Sequence, residues 1–326
     1  MTTLIVHHPD IALHDRHASH GIMADNRIDS VANAVLGVQG VTARLARPAT
    51  ILQLGRYHTQ AYLDNLQRNA PTQPGQTHCF DDETQMNSHT WRALQLSAGA
   101  ACDAVDAVMR EEAVNAFCPV YAGHHAGPDS AEGFCIINTV AVAMHYAIAA
   151  GIKRLAVLDI DTHSGNGTIA AVRRYDPGDP DCVPGAGTDV SVLFAETYQN
   201  GYPGNFLVGR KPANVFRERV GARYQFFVAW EGELLPTIRT FAPEMILVSA
   251  GFDTHMADPL GDVRLLDCDY PRIAQAILAV CPRVVAVLEG GYDIDATSRC
   301  AALFVESMVE AAKRMVLVPP DTALLC

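Results

Sequence analysis

A three-layer αβα fold on a mostly parallel sheet is predicted by three features of the sequence. Short apolar runs without a helical face recur along the chain, stretches of helical length separate them, and acid, imidazole and phenol groups collect just after the runs. Strands alternating with helices make parallel sheets covered on both faces, and such sheets carry their sites beyond the carboxyl ends of the strands. With 326 residues, 49% hydrophobic and 18% charged, the chain can bury one large core, so a single domain over residues 1–326 is expected.

Taken in order, residues 3–6 read as the first strand. Residues 28–45 and 56–68 read as helices, the second ended by the Pro/Gln/Gly surface loop 71–75. Residues 91–117 are Ala-rich and helical over most of their length, and the apolar run 116–121 follows. A helix over 138–150 has Gly151 where a left-handed residue commonly ends a helix. The uninterrupted apolar run 155–158 fits a strand buried on both faces. After it come a short helix over 165–175, a Pro/Gly/Asp-dense loop over 176–187 and a strand over 191–195. Residues 217–241 read as helix, broken or kinked by Pro236. The strands 245–249 and 284–288 flank a helix over 270–281, and a last helix lies near 295–315.

Four of these runs deliver reactive groups to one edge. His124 and His125 follow Val120, Asp161 and His163 follow Leu158, Asp253 follows Ser249, and Tyr292 follows Leu288. In an extended segment alternate side chains share a face, which would point Asp159, Asp161 and His163 the same way. Charged groups so near a buried strand need pairing or a metal. Asp161, His163 and Asp253 make a set of three protein ligands with a position left for water or substrate; Zn²⁺ suits it first, with Fe²⁺, Co²⁺ and Mn²⁺ compatible. Adjacent histidines beside such a set suit general acid/base work, with Asp159 to orient one imidazole and Asn166 the other. Tyr292, set on two glycines, is placed to donate to an oxyanion.

The formal charge of -12 and the absence of a Lys/Arg cluster argue against a nucleic-acid partner and favour a cationic substrate. No apolar segment has the length of a membrane span and no signal peptide is evident. Nine cysteines, an odd number without a Cys-x-x-Cys pair, read as thiols in a reducing compartment. A soluble, cytoplasmic protein is expected, with self-association left open.

Seven ordered motifs carry a resemblance: Gly123-His124-His125, Gly133-Phe134-Cys135, Asp159-Ile160-Asp161-Thr162-His163, Gly165-Asn166-Gly167-Thr168, Ser249-Ala250-Gly251-Phe252-Asp253, Asp258-Pro259-Leu260-Gly261 and Glu289-Gly290-Gly291-Tyr292. In this order they resemble the histone deacetylase family, which includes bacterial histone-deacetylase-like amidohydrolases and acetylpolyamine amidohydrolases. The resemblance runs from His14-Asp15 and His20 to the last strand. It implies an arginase/deacetylase fold and a Zn-dependent amide hydrolase acting on an acylated amine such as acyl-lysine, with one zinc per chain. By position Asp161, His163 and Asp253 correspond to the zinc ligands, His124 and His125 to the tandem histidines, and Tyr292 to the carbonyl-polarising tyrosine. Gly133 and Phe134 match one wall of the acyl-lysine tunnel and Tyr202 the other. Leu260 stands where a specialised polyamine pocket has a gatekeeping glutamate, and Glu83 is placed to meet a cation. Arg27 is similar to an arginine of the family's internal acetate channel, and Asp159 and Asp161 match residues that help hold a structural potassium ion.

The sequence departs from the family pattern at Ser164, at Ala195-Glu196-Thr197-Tyr198 where a Ser-Leu-His-like segment contributes to monovalent-cation binding, and along 205–224, which lacks the family's Gly-rich stretch. These changes bear on potassium and substrate rather than on reaction class. Three alternatives remain. A binuclear manganese ureohydrolase needs a carboxylate two residues after His163, where Gly165 stands. An acetylpolyamine hydrolase suits the acidic surface. A catalytically silent homologue would keep the fold only to bind a ligand.

Overall fold

The computed structural model describes residues 2–15, 26–199 and 211–317. Its centre is an eight-stranded sheet, parallel at every pairing among the described residues, formed by β1 (Thr3–His7), β2 (Val41–Leu45), β5 (Asn115–Cys118), β6 (Arg154–Asp159), β7 (Ser191–Tyr198), β8 (Val215–Arg219), β9 (Met245–Ala250) and β10 (Val284–Leu288). The order is β2-β1-β5-β10-β9-β6-β7-β8, and β3 (His78–Cys79) and β4 (Gln85–Met86) form a small antiparallel pair outside it. Chemistry-bearing loops follow the four neighbouring strands β5, β10, β9 and β6, so groups from distant parts of the sequence meet over the middle of the sheet.

Side-chain alternation along the central strands separates two cores. Leu155, Val157, Leu247, Val285 and Val287 pack on one face with the helices α5 (Thr90–Met109) and α6 (Thr139–Ala149). Ala156, Leu158, Ile246, Val248, Ala286 and Leu288 pack on the other with α10 (Asp269–Val280) and α11 (Ile294–Leu317). A strand apolar at every position is what a sheet covered on both sides requires. The helices α1 (Ala12–Asp15), α2 (Arg27–Leu36), α3 (Ile51–Leu54), α4 (Gln60–Asn69), α7 (Asn166–Arg173), α8 (Arg223–Ala229) and α9 (Leu235–Phe241) complete the layers and their ends.

Four predicted helices are corrected at their ends. Only Arg27–Leu36 of 28–45 is helical; Val41–Leu45 pairs with β1 as an edge strand, its side chains mostly outside the core. Arg217 likewise belongs to edge strand β8, not to the helix that starts at Arg223. The helix expected over 56–68 begins at Gln60, with Thr59 capping it through a bond from Tyr62 N–H, and 115–118 leave the long helix as β5. Pro236 does not break its helix: a π turn, Trp230–Leu234, joins α8 to α9 just before it. Such a turn shifts the hydrogen-bond register by one residue, and Pro236 then falls in the first turn of α9, where a missing N–H costs little.

Candidate active site

The ladder of β6 stops at Asp159, and the chain bends through 161–163 rather than staying extended, with Asp161 N–H turned onto Asp159 Oδ1 at 3.0 Å. The bend still brings the predicted set together. His163 Nδ1 lies 3.1 Å from Asp161 Oδ1 and 3.0 Å from Asp253 Oδ2, and the three side chains offer ligand atoms within 4.8 Å of one another. Backbone amides aim both acids: Gly290 N–H donates to Asp161 Oδ2 at 2.8 Å, and Thr162 N–H to Asp253 Oδ1 at 2.8 Å. A Cβ on Gly290 or Gly251 would run into these carboxylates, so only glycine permits the approach.

Burial opposes charging the His163 imidazole, yet the facing Asp161 and Asp253 raise its pKa to about 10. Burial also works against ionising Asp161, but the charges of His124 and His163 hold its carboxyl well below the usual range. Asp253, buried and beside the Asp161 charge, is pushed well above it. These opposite shifts belong to one unit, because two buried acids crowded on one imidazole share a proton when no other cation is there. A divalent ion satisfies the same donors, so the residues present fit one.

His124 and His125 are buried with ring centroids 4.1 Å apart, but their surroundings differ. His124 Nδ1 lies 3.0 Å from Asp159 Oδ2. Burial disfavours its charge, and Asp161 and Asp159 overcome that and raise its pKa well above the ordinary value. His125 Nδ1 lies 2.6 Å from Asn166 Oδ1, and burial together with the charge of His124 pushes its pKa well down. Their surroundings therefore draw the two imidazoles apart, His124 toward the cation and His125 toward the neutral ring. Tyr292 follows Gly291, whose φ of 126° only glycine adopts readily, and its N–H donates to Asp258 Oδ2 at 2.6 Å. Burial and the Asp253 and Asp161 charges raise the phenol well above its usual pKa, so it keeps its proton.

A pocket of about 160 Å³ opens over these groups. His125, His163 and Tyr292 line it together with Gly133, Phe134 and Leu260, and exposed Glu83 stands at its rim. Phe134 enters it from a two-residue turn closed by Glu132 N–H to Cys135 O at 2.9 Å and the reverse bond at 2.8 Å. Gly133 and Phe134 have φ of 55° and 65°, the positive pair that marks a type I′ turn. A phenylalanine there is strained, and Thr84 Oγ1, accepting from Phe134 N–H, and Tyr121 OH, donating to Phe134 O, hold it. Tyr202 lies outside the described residues, as does His20. A larger groove of about 280 Å³ between α10 and α11 brings no comparable set of groups together.

Several contributors escape a reading of the sequence. Glu289, fully buried, accepts from Gly123 N–H at 2.6 Å and His124 N–H at 3.1 Å and so ties the loop after β5 to the end of β10; its place directly after a buried strand was the available signal. Glu196 accepts from Ser164 Oγ at 2.8 Å, Gly165 N–H at 2.9 Å and Arg217 Nε at 2.7 Å. The segment likened to a monovalent-cation site thus carries an arginine cation of its own, with Arg217 also donating to Ser164 at 2.6 Å. Arg27 is buried behind Tyr292, where its Nε donates to Gly291 O at 2.6 Å.

A parallel α/β sheet that gathers an imidazole pair, an acid–imidazole set and a protonated phenol at one pocket has the parts of a hydrolase. A family model described as the histone deacetylase domain matches residues 22–308. The histone deacetylase-like amidohydrolase of Pseudomonas aeruginosa is 31% identical over 291 residues, covering 84% of this chain and 73% of that protein. The type-2 histone deacetylase 2 of Dictyostelium discoideum is 31% identical over 260 residues, which are 70% of this chain but 14% of that much longer protein. Among solved structures, the HD domain of HDA15 superposes with a TM-score of 0.84 at 25% identity, covering 95% of this chain and 90% of that one. The chain belongs to the histone deacetylase family, and with it to the hydrolases of deacetylase and amidohydrolase type.

Proposed function

We propose that the chain is a zinc-dependent amidohydrolase that removes an acyl group, acetyl first, from a linear amine such as acyl-lysine. The observation that carries this reading is the convergence of Asp161, His163 and Asp253 beside His125 and Tyr292 at one small pocket. Asp161, His163 and Asp253 would hold the Zn²⁺, which when bound polarises an amide carbonyl and makes a water more acidic. His125, neutral in its surroundings, takes the water's proton and returns it to the leaving amine. His124, drawn toward its cationic form by Asp161 and Asp159, steadies negative charge from beside His125. Tyr292 donates its phenol hydrogen to the tetrahedral oxyanion. Phe134 and Leu260 supply apolar walls for an unbranched methylene chain, with Gly133 leaving room at the turn.

Glu83 at the rim supports a second substrate reading, an acetylated polyamine, in which the acid meets a cationic end. Potassium is not assigned to the Glu196 segment, where Arg217 takes the place of an added cation. The cysteine pattern supports a reducing, cytoplasmic setting.

The test is hydrolysis of an acetyl-lysine peptide and of N-acetylputrescine, with elemental analysis of the same preparation. Activity is expected to vanish with a chelator and return with Zn²⁺, the ratio of the two rates assigning the substrate. No turnover on a broad acyl panel with metal bound would instead make the chain a silent ligand-binding homologue.

A further inference from the structure

Asn166 makes two contacts with its amide. Its Oδ1 lies 2.6 Å from His125 Nδ1, and its Nδ2 donates to Glu132 Oε2 at 3.1 Å. Which end of an asparagine amide faces which neighbour is decided by the hydrogen bonds available. An ionised carboxylate only accepts, so Glu132 can face the NH₂ end but not the carbonyl end. That leaves the carbonyl oxygen for His125, which must then carry its hydrogen on Nδ1. The remaining ring nitrogen, Nε2, holds the lone pair that a base needs.

The placement of Glu132 is itself rigid. Its backbone N–H and C=O both bond to Cys135 across the turn that carries Phe134, so a fixed element aims its carboxylate. On the other side, Asn166 starts α7, with Gly165 before it packed so closely on Asp159 that a Cβ there would meet the carboxylate. The backbone is thus anchored at both ends of the relay.

We infer that Glu132 is a positioning residue which, through the Asn166 amide, holds His125 in the tautomer protonated on Nδ1. This assignment rests on the proposed role of His125 as the base. In the absence of an acceptor at position 132 the Asn166 amide can turn over and present its NH₂ group to His125 Nδ1. The other tautomer is then favoured, Nε2 becomes a donor, and proton abstraction is lost while metal binding and the pocket walls remain. His124 needs no such device, because the Asp159 carboxylate accepts from it whichever way it is turned.

The test uses the full chain loaded with Zn²⁺ and labelled with ¹⁵N-histidine, its His125 ring signals assigned by their loss in His125→Gln. At neutral pH the ring is expected to show a protonated Nδ1 and a lone pair on Nε2. Glu132→Met is expected to shift it toward the other tautomer and to lower kcat by about 10- to 100-fold, the range for partners behind a reacting group, with KM and zinc content kept. Glu132→Gln retains an acceptor and is expected to keep more of both signals than Glu132→Met. Asn166→Asp supplies an acceptor that cannot be turned over. Alone it is expected to be harmful, because two carboxylates then face each other, but in the Glu132→Met background it should restore the tautomer and part of kcat. An unmoved ring spectrum in Glu132→Met, or no recovery in the double variant, overturns the assignment. The spectrum does not depend on turnover. A chain that hydrolyses nothing yet shows the Glu132-dependent tautomer keeps this inference and loses the functional one; normal hydrolysis with an unmoved spectrum does the reverse.

Discussion

Tyr292 and Phe134 face each other across the pocket with ring centroids 5.9 Å apart, and only one of them carries a group that can act on a carbonyl. Tyr292→Phe removes that hydroxyl and leaves the ring. Turnover is expected to fall by about 10²- to 10³-fold, as for the loss of one oxyanion donor, with zinc content unchanged by elemental analysis. Near-normal kcat would remove Tyr292 from the chemistry. At this scale the sequence was informative where a reactive residue stands just after an apolar strand, as His124, Asp161, Asp253 and Tyr292 do. It was silent on Glu132 with Asn166 and on Glu196 with Arg217. Each of those pairs is made by folding, between side chains whose neighbours in sequence look like an ordinary loop or edge. Asp159 and Asn166, expected from the sequence to orient the two histidines, do pair with His124 and His125.

The elements that sequence periodicity located best are those buried on both sides. The runs 155–158 of β6 and 245–248 of β9 and the whole of β10 are apolar without interruption and could be read almost residue by residue, whereas β2 and β8 mix apolar with polar or charged residues at the sheet edges and resemble the ends of helices. Edge strands have fewer apolar neighbours to satisfy, so their signature is weaker. The turn at Glu132–Cys135 is another element with a testable cost. Phe134→Gly relieves a left-handed residue worth about 1–2 kcal/mol and removes a half-buried ring. The two effects are expected to offset nearly in the urea midpoint, while KM for an acyl-lysine peptide rises. A large loss of stability with unchanged KM would mean that the ring serves packing and not the pocket.

For the molecule as a whole, three buried histidines away from the site contribute to the response to acid. Burial lowers the pKa of His14, His58 and His145 to about 3 each, with the charges of Arg174 and Arg56 adding to the effect at His145. An unfolded histidine titrates near 6.5, so between about 6.5 and 3 the unfolded chain binds the protons that the folded chain refuses. Their contribution is complete above about pH 6.5 and falls as pH drops, by roughly 1.4 kcal/mol per pH unit for each residue. Urea midpoints measured from pH 7 to pH 4.5 are expected to decline, and His145→Gln to decline less steeply. An equal slope in that variant would move the acid sensitivity elsewhere. The sheet, its two cores and the edge that bears the site follow from the alternation of apolar runs and helical stretches. The packing that buries these histidines does not, because it depends on which helices meet.

The four-residue turn from Glu132 to Cys135 serves two neighbours at once: Phe134 lines the pocket, and Glu132 accepts from the Asn166 amide that meets His125. A guest that fits the wall poorly therefore disturbs the machinery as well as its own grip. On the proposed function, a poorly fitting acyl chain would then lose reaction rate as well as affinity.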